Sequence, residues 1–305
     1  MQSVVQSPAV QSHFRAGLIA IVGRPNVGKS TLLNHLVGQK LSITSRKAQT
    51  TRHRVAGILN RDRTQFVFVD TPGFQTQHLN ALNSALNRSV KQALREIDAV
   101  LLVIEAGRLG APDREVIKLL PAGRPVLAVI NKIDRLEDRA LLLPLMEKLA
   151  AEFAFTAIVP VSAKHGQGLV ELTDAIASHL PLRGALYPDD QVTDRDERFF
   201  AAELIREKLF RSLGEELPYA CSVAIDQFVE DGSLRRIQAT IFVDKPGQKA
   251  IVIGEGGERL KEIATAARLD MERLFGSKVF LQVWVKVKSG WADDSRALTR
   301  FGYEP

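Results

Sequence analysis

With 305 residues, a net charge of +6 and a pI near 9.5, the chain is long enough for two domains and basic enough to meet a polyanion. No run approaches roughly 18 consecutive apolar residues, which argues against a transmembrane helix. The single cysteine, Cys221, excludes an intrachain disulfide or a cysteine metal cluster and fits a reducing cytoplasm. The charge is uneven. Residues 1–180 hold 22 Lys/Arg and 14 Asp/Glu, whereas residues 194–305 hold 18 and 19, so a nucleic-acid site in the second half has to be a local patch.

Residues 1–14 have neither a basic start nor a long apolar segment and read as a disordered tail rather than a signal peptide. Residues 15–181 then alternate strand and helix patterns. Strands are expected at 17–22, 55–60, 65–70, 98–104, 125–130 and 157–161, and helices at 29–38, 80–95, 111–120, 137–152 and 169–180. Continuous apolar runs such as Val100–Ile104 and Val126–Ile130 suggest strands buried on both faces, hence a three-layer α/β domain with a mostly parallel sheet. Arg61-Asp62-Arg63 reads as a hairpin turn giving one antiparallel pair.

The first strand runs into Gly23-Arg24-Pro25-Asn26-Val27-Gly28-Lys29-Ser30, followed by Thr31 and a helical pattern. This is G-x-x-x-x-G-K-[ST], whose backbone N–H groups cradle phosphates. Lys29 brings a full charge to the outer phosphates, and the Ser30 hydroxyl is the expected Mg2+ ligand. A polar, aperiodic stretch, Ser45 to Arg54, reads as a mobile loop. Thr50 or Thr51 would complete the Mg2+ shell there; Thr51 is preferred because it directly precedes Arg52 and the next strand. Residues 40–63 carry seven Lys/Arg against one Asp, which suits an RNA contact or simply a solvated loop.

Asp70-Thr71-Pro72-Gly73 ends a strand. Its Asp can hold a Mg2+-bound water and the Gly73 N–H can meet the γ-phosphate. Asn131-Lys132-Ile133-Asp134 ends another strand, and the Asp134 carboxylate matches two donors, N1–H and the 2-amino group, that guanine has and adenine lacks. Ser162-Ala163-Lys164 ends the last strand, where the Ala163 N–H is placed to reach the guanine carbonyl. All four motifs stand at carboxyl ends of strands, where open α/β sheets bind ligands. GTP is therefore the expected nucleotide, with Lys29, Thr51 and Gly73 as the catalytic set and Ser30, Thr51 and Asp70 around Mg2+. Phe74 stands where many GTPases carry a water-orienting Gln, so slow intrinsic hydrolysis is expected.

Residues 182–193, with Gly184, Pro188 and two aspartates, read as a linker. A second domain, 194–305, should have a helix at 194–213, strands near 219–229, 235–243 and 279–287, and a long helix at 257–275. Cys221 is expected in its core, and so is Trp284, which alternates within a strand; Trp291 suits core packing or base stacking equally. Val252-Ile253-Gly254-Glu255-Gly256-Gly257 precedes a helix, as the G-x-x-G loop of KH domains does, and residues 245–288 carry nine Lys/Arg and five Asp/Glu.

From about residue 15 to 303 the chain resembles the Era family of ribosome-assembly GTPases. The resemblance rests on the four GTP motifs, Gln49-Thr50-Thr51-Arg52, Tyr187-Pro188, the VIGxxG segment, and Trp284-Val285-Lys286-Val287-Lys288 through Trp291-Ala292-Asp293. It implies a P-loop GTPase domain followed by a smaller α+β type II KH domain. It also makes residues 248–253 a helix, where propensity alone favours a strand. It implies binding to the 3′ end of small-subunit ribosomal RNA and help in maturation of the small subunit, by a monomer. The RNA residues would be Lys249, Gly254, Glu255, Gly256, Gly257, Arg259, Lys261, Lys286 and Lys288. Glu255-Gly256 departs from the Lys or Arg often found inside the loop, so phosphate attraction falls to Lys249, Arg259 and Lys261. Asn26 resembles an asparagine that binds K+ in related GTPases. The alternatives are an RNA-binding module with a structural nucleotide site, and a GTPase that associates peripherally with membranes.

Overall fold

The computed structural model describes residues 14–45, 47, 50–74, 81–214, 217–294, 298, 299 and 301. The expected tail, apart from Phe14, and Arg46, Ala48 and Gln49 lie outside the described residues. The first unit contains β1 (Arg15–Val22), α1 (Lys29–Val37), β2 (Val55–Arg61), β3 (Thr64–Asp70), α2 (Ala81–Ala93), β4 (Ala99–Glu105), α3 (Ala111–Ile117), β5 (Val126–Asn131), α4 (Leu142–Glu152), β6 (Ala157–Val161) and α5 (Leu169–Ala177). The six strands form one sheet in the order β2-β3-β1-β4-β5-β6, parallel except for β2 against β3. Asp62, at φ 53°, turns that hairpin.

Alternation along the central strands sends successive side chains into different cores. Ile19 and Ile21 join the cluster under α1 and α5, while Ala20 and Val22 join the cluster under α3 and α4. The parallel order brings the carboxyl ends of β1, β3, β4, β5 and β6 to one edge, and that edge carries the nucleotide motifs. Helix α4 starts at Leu142 rather than near 137, because Asp138 caps a short 3-10 turn first, accepting from the Ala140 N–H at 2.8 Å.

Residues 182–193 lie along this sheet. Leu182 bridges to Arg15 and Thr193 to Gly57. The buried Gln65 amide holds Leu186 N, Tyr187 N and Tyr187 O at 2.6, 3.0 and 2.9 Å.

The second unit has α6 (Glu197–Ser212), β7 (Cys221–Asp231), β8 (Leu234–Val243), α7 (Pro246–Ile253), α8 (Glu258–Phe275) and β9 (Lys278–Val287). The sheet order is β7-β8-β9, with β8 and β9 parallel. Helices α6 and α8 cover one face of it. The segment 248–253 is helical. Pro246 is preset for a first helical turn, the Gln248 side chain accepts from Asp244 N and Lys245 N, and Gly254 stops the helix, so the ends outweigh the β-branched residues between them.

One aromatic expectation changes and one open alternative closes. Trp284 is 43% exposed, because its strand alternates it onto the face opposite α6 and α8. Trp291 is fully buried and donates from Nε1 to Ala220 O at 3.0 Å, packed with Leu82 and Leu86 of α2 and with Phe301. Cys221 is buried, and burial pushes its thiol up to about 12, as suits a packing residue.

Candidate functional site

The turn between β1 and α1 is shaped by backbone geometry. Asn26 and Gly28 take φ of 65° and 101°. A Cβ at Gly28 would stand 2.3 Å from Asn131 Nδ2, so only glycine lets the β5 loop close on the phosphate loop. Lys29 is buried and donates to Gly23 O and Arg24 O at 3.0 and 3.1 Å. Burial brings its ammonium down to about 8, against the opposing pull of the Asp70 charge.

These residues open onto a cleft of about 610 Å³, lined also by Thr31, Thr50, Thr51, Gly73, Glu105 and Lys132. The volume is that of a small-ligand site. Gly73 packs on Pro25, and any Cβ there would come within 2.9 Å of it. Val27 and Pro72 are buried, and the Thr71 hydroxyl is tied to Ile21 O at 2.8 Å, which fixes the turn after β3.

Asp70 lies buried behind Ser30 and Thr51, which line the cleft. Its Oδ2 accepts from Ser30 Oγ at 2.7 Å and Ser42 Oγ at 2.8 Å, with Thr51 Oγ1 at 3.5 Å. Ser30 Oγ and Thr51 Oγ1 are themselves 2.7 Å apart. Thr50 turns away, its hydroxyl donating to Lys47 O. Asp70 Oδ1 is buried with no hydrogen-bond partner, and burial pushes the carboxyl pKa up. A carboxylate with an orphaned oxygen beside two convergent hydroxyls fits a hard divalent cation, which takes oxygen ligands. Ser42 was not legible as part of this cluster, since it sits in a polar stretch without a motif.

Asn131 braces three loops at once. Its Nδ2 donates to Val27 O at 2.8 Å, and its Oδ1 accepts from Lys132 N and Ala163 N at 2.8 and 2.9 Å. The Ala163 N–H expected at the base is thus engaged by Asn131 in this structure. Lys132 donates to Asn26 O at 2.6 Å and pairs with Glu105 at 3.1 Å. Glu105 also pairs with Arg24, which pairs in turn with Asp113. Glu105 thus ties the phosphate loop to the base-side loop. The signal for it was a charged residue at the carboxyl end of an apolar strand. Asp134 accepts from Ser162 Oγ at 2.5 Å, and that bond, with the Lys164 and His165 charges nearby, holds its carboxyl below the usual range.

Thr44, Lys47, Arg52 and Arg54, which follow the Ser42 turn, are held by the second unit and the segment before it. The buried Arg52 guanidinium donates to Pro218 O, Tyr219 O and Cys221 O at 3.2, 3.1 and 2.9 Å and faces the Phe210 and Trp291 rings. Glu207 accepts from Thr44 N at 3.1 Å, and Lys47 Nζ reaches Leu213 O and Gly214 O. Arg195 of the segment before α6 donates to Arg54 O.

In the second unit, Gly254, Glu255, Gly256 and Gly257 form the corner between α7 and α8, with positive φ at all three glycines. A Cβ at Gly254 would meet Arg259 Cβ at 2.8 Å, and Arg259 donates to Ile251 O at 2.7 Å, closing α7. Lys249 is half-buried and Lys261 exposed at the same corner. Lys286 and Lys288 lie apart from it in sequence, near the end of β9, and Lys288 also pairs with Asp294 at 3.9 Å.

A family model described as "50S ribosome-binding GTPase" matches residues 18–132, and one described as "KH domain" matches residues 216–292. The chain is 61% identical over 291 residues to GTPase Era of Chromobacterium violaceum, covering 95% of this chain and 98% of that one. It is 57% identical to GTPase Era of Nitrosomonas eutropha, covering 96% and 99%. A crystal structure of Aquifex aeolicus Era, a variant bound to GDP and aluminium fluoride, superposes with a TM-score of 0.93 at 39% identity over 96% of this chain and all of that one. A structure of Era with MgGDPNP and nucleotides 1506–1542 of 16S ribosomal RNA gives the same TM-score, identity and coverage.

Proposed function

We propose, because this chain belongs to the Era family of GTPases, that it is a GTP-hydrolysing switch which binds the 3′ end region of small-subunit ribosomal RNA and assists maturation of the small ribosomal subunit. The observation that carries this reading is the clasp at Thr51 and Arg52, which joins the nucleotide cleft to the KH unit through adjacent residues. The "50S" in one family description belongs to a match over residues 18–132, whereas RNA choice in this reading rests with the KH unit.

In the cleft, Lys29 lies against the outer phosphates, and the phosphate charge restores the proton that burial makes easy to lose. Ser30, Thr51 and Asp70 would hold Mg2+, which would supply charge neutralisation at the bound phosphates. Gly73 brings its N–H toward the γ-phosphate, and the absence of a bulkier residue lets that turn rest on Pro25. Asp134 reads the guanine edge, and Lys132, held by Asn26 O and Glu105, lies along the base. Phe74 packs against the core beneath α3 and α4 rather than offering a polar group to water, so the intrinsic rate is slow. Asn26 is the proposed K+ ligand.

Both sites are complete within one chain, which supports a monomer. No helix among the described residues is long and apolar enough to cross a membrane, so any membrane association would be peripheral. The test is the affinity of the full chain for a fluorescent RNA copy of the 16S 3′ end, read with a GTP analogue and with GDP. Tighter binding in the GTP state supports the reading; equal affinities overturn the switch.

A further inference from the structure

Helices α6 and α8 cover one face of the second unit's sheet. Ile237, Ala239, Ile241, Val279 and Val285 point into the core under α6 and α8. Their strand neighbours point the other way. At one end of that outer face Phe242 is covered by Phe301. Farther along, Phe280 is 47% and Trp284 43% exposed, while Thr240 beside Trp284 is buried. Two large aromatics half in solvent on one strand are unusual where burial is what normally stabilises them.

Polar groups are interleaved with these rings. Register places Arg236 opposite Phe280, Gln238 opposite Gln282 and Thr240 opposite Trp284. The Arg236 guanidinium lies 6.0 Å from the Phe280 ring centroid, and the Gln238 and Gln282 amides meet at 3.4 Å. Along β9 the charge is of one sign: Lys278, Lys286 and Lys288 stand in a stretch, 273–292, without Asp or Glu. The acidic residues of the face, Asp226 and Asp231, stand on the far strand and hold Thr240 and Arg236 of β8 at 2.6 and 3.1 Å, whereas Glu230 pairs with Arg235 on the helical side. β9 is also an edge strand, so a chain can pass around it from the helical side.

We propose that this outer face is a second RNA surface, on which bases of a single-stranded segment stack on Phe280 and Trp284 while the phosphates run along the lysine side of β9. Aromatic platforms flanked by cations are how single strands are held without a groove. The two rings are four residues apart, about 13 Å along the strand, which leaves room for a base over Gln282. A lipid surface would select a continuous apolar patch, and the paired glutamines and Arg236 interrupt one here. The inference deepens the RNA-binding reading above and rests on it. The G-x-x-G corner lies between α7 and α8, on the covered side, so the two surfaces are separable by mutation.

The test uses the full chain with a GTP analogue and a fluorescein-labelled single-stranded RNA of about 12 nucleotides, read by anisotropy. Trp284→Ala and Phe280→Ala are each expected to weaken binding about tenfold, and Trp284→Phe to restore most of it. Since Trp291 is buried, RNA should also shield the indole of Trp284 from acrylamide quenching. Unchanged affinity in both alanine variants, with Lys249→Glu/Lys261→Glu still weakening binding, overturns the second surface and leaves the KH corner standing. No RNA binding by the wild type overturns the underlying reading as well. Alanine variants that lose affinity for phosphatidylglycerol–phosphatidylethanolamine vesicles but keep RNA affinity overturn the proposal in favour of a lipid surface.

Discussion

Thr51 and Arg52 are chain neighbours with opposite allegiances: the Thr51 hydroxyl sits 2.7 Å from Ser30 Oγ in the nucleotide cleft, and the Arg52 guanidinium donates to three carbonyls of the KH unit. Any shift of Thr51 on loss of the γ-phosphate must strain or release Arg52. Two discrete arrangements of such a segment are enough to couple two sites.

Replacement of Arg52 by alanine removes the KH end of this link and leaves buried carbonyls without their donor. Stability is expected to fall by about 2–4 kcal/mol, read by urea unfolding. The ratio of RNA affinities between the GTP-analogue and GDP states should fall toward one, with GTP affinity itself within about threefold of wild type. A ratio that stays at the wild-type value would place the coupling elsewhere.

Lys29 gives a proton-linked binding signature. Its ammonium is brought down to about 8, so near that pH about half the free protein carries a neutral amine. Bound phosphates favour the charged form, and binding must then take up about half a proton. The same sign governs the free protein. The unfolded chain binds this proton up to about 10.5 and the folded chain only to about 8, so this group's contribution to stability rises with pH between those values. GDP titrations without Mg2+ at pH 8, in two buffers of different ionisation enthalpy, read the uptake; identical heats in both would contradict it.

His53 lies at the junction of the two units, edge-on to Phe199, and burial pushes its imidazole down to about 4. A depressed histidine stabilises the fold while neutral, and that contribution is lost as pH falls from about 6.5 toward about 4, where only the unfolded chain is protonated. The expected loss is about 3 kcal/mol over that window. His53→Asn should lose less stability between pH 7 and pH 4.5 than the wild type, measured by urea midpoints. Parallel losses would show that His53 is not the sensor.

How much of this was legible in the sequence follows the range of each interaction. The phosphate loop, Asp70 and Asp134 are read from a few adjacent residues, and their strand-end positions come from apolar runs that the strands reproduce within about two residues. Thr50 and Thr51 are indistinguishable in sequence; only the fold turns one hydroxyl to Ser30 and the other to Lys47 O. Trp284 lies outside the core expected for it, because alternation says which residues share a face and not which face is covered, and Trp291 settles in the core, one of its two open alternatives. Ser42 and the contacts of Arg52 depend on segments more than 25 residues apart, a range no local pattern carries.

Asp134→Asn replaces one acceptor of the guanine edge with a donor. GTP affinity is expected to fall at least about a hundredfold, because a buried donor pair then faces another donor. Xanthosine triphosphate, which offers a carbonyl at that position, should be bound in preference. The Ser162 bond that keeps the wild-type carboxyl ionised makes this a test of hydrogen-bond polarity rather than of protonation. Competition between the two nucleotides reads it, and undiminished GTP preference would refute the role of Asp134.

Asn26 is held at φ 65° at the cleft mouth, and its carbonyl is already committed to Lys132 at 2.6 Å. A monovalent cation there would take the side-chain amide oxygen as its ligand. If K+ sits there beside the phosphates, it adds positive charge to that of Lys29 on a side where Phe74 offers no polar group. Hydrolysis in K+ is then expected to exceed that in Na+ by about tenfold or more, because charge placed at a phosphoryl transition state is worth kilocalories. Asn26→Ala should bring the K+ rate down to the Na+ rate while GTP affinity changes little. Rates that are equal in the two salts for the wild type would remove K+ from the site and leave Asn26 as a turn residue whose left-handed backbone is its whole contribution.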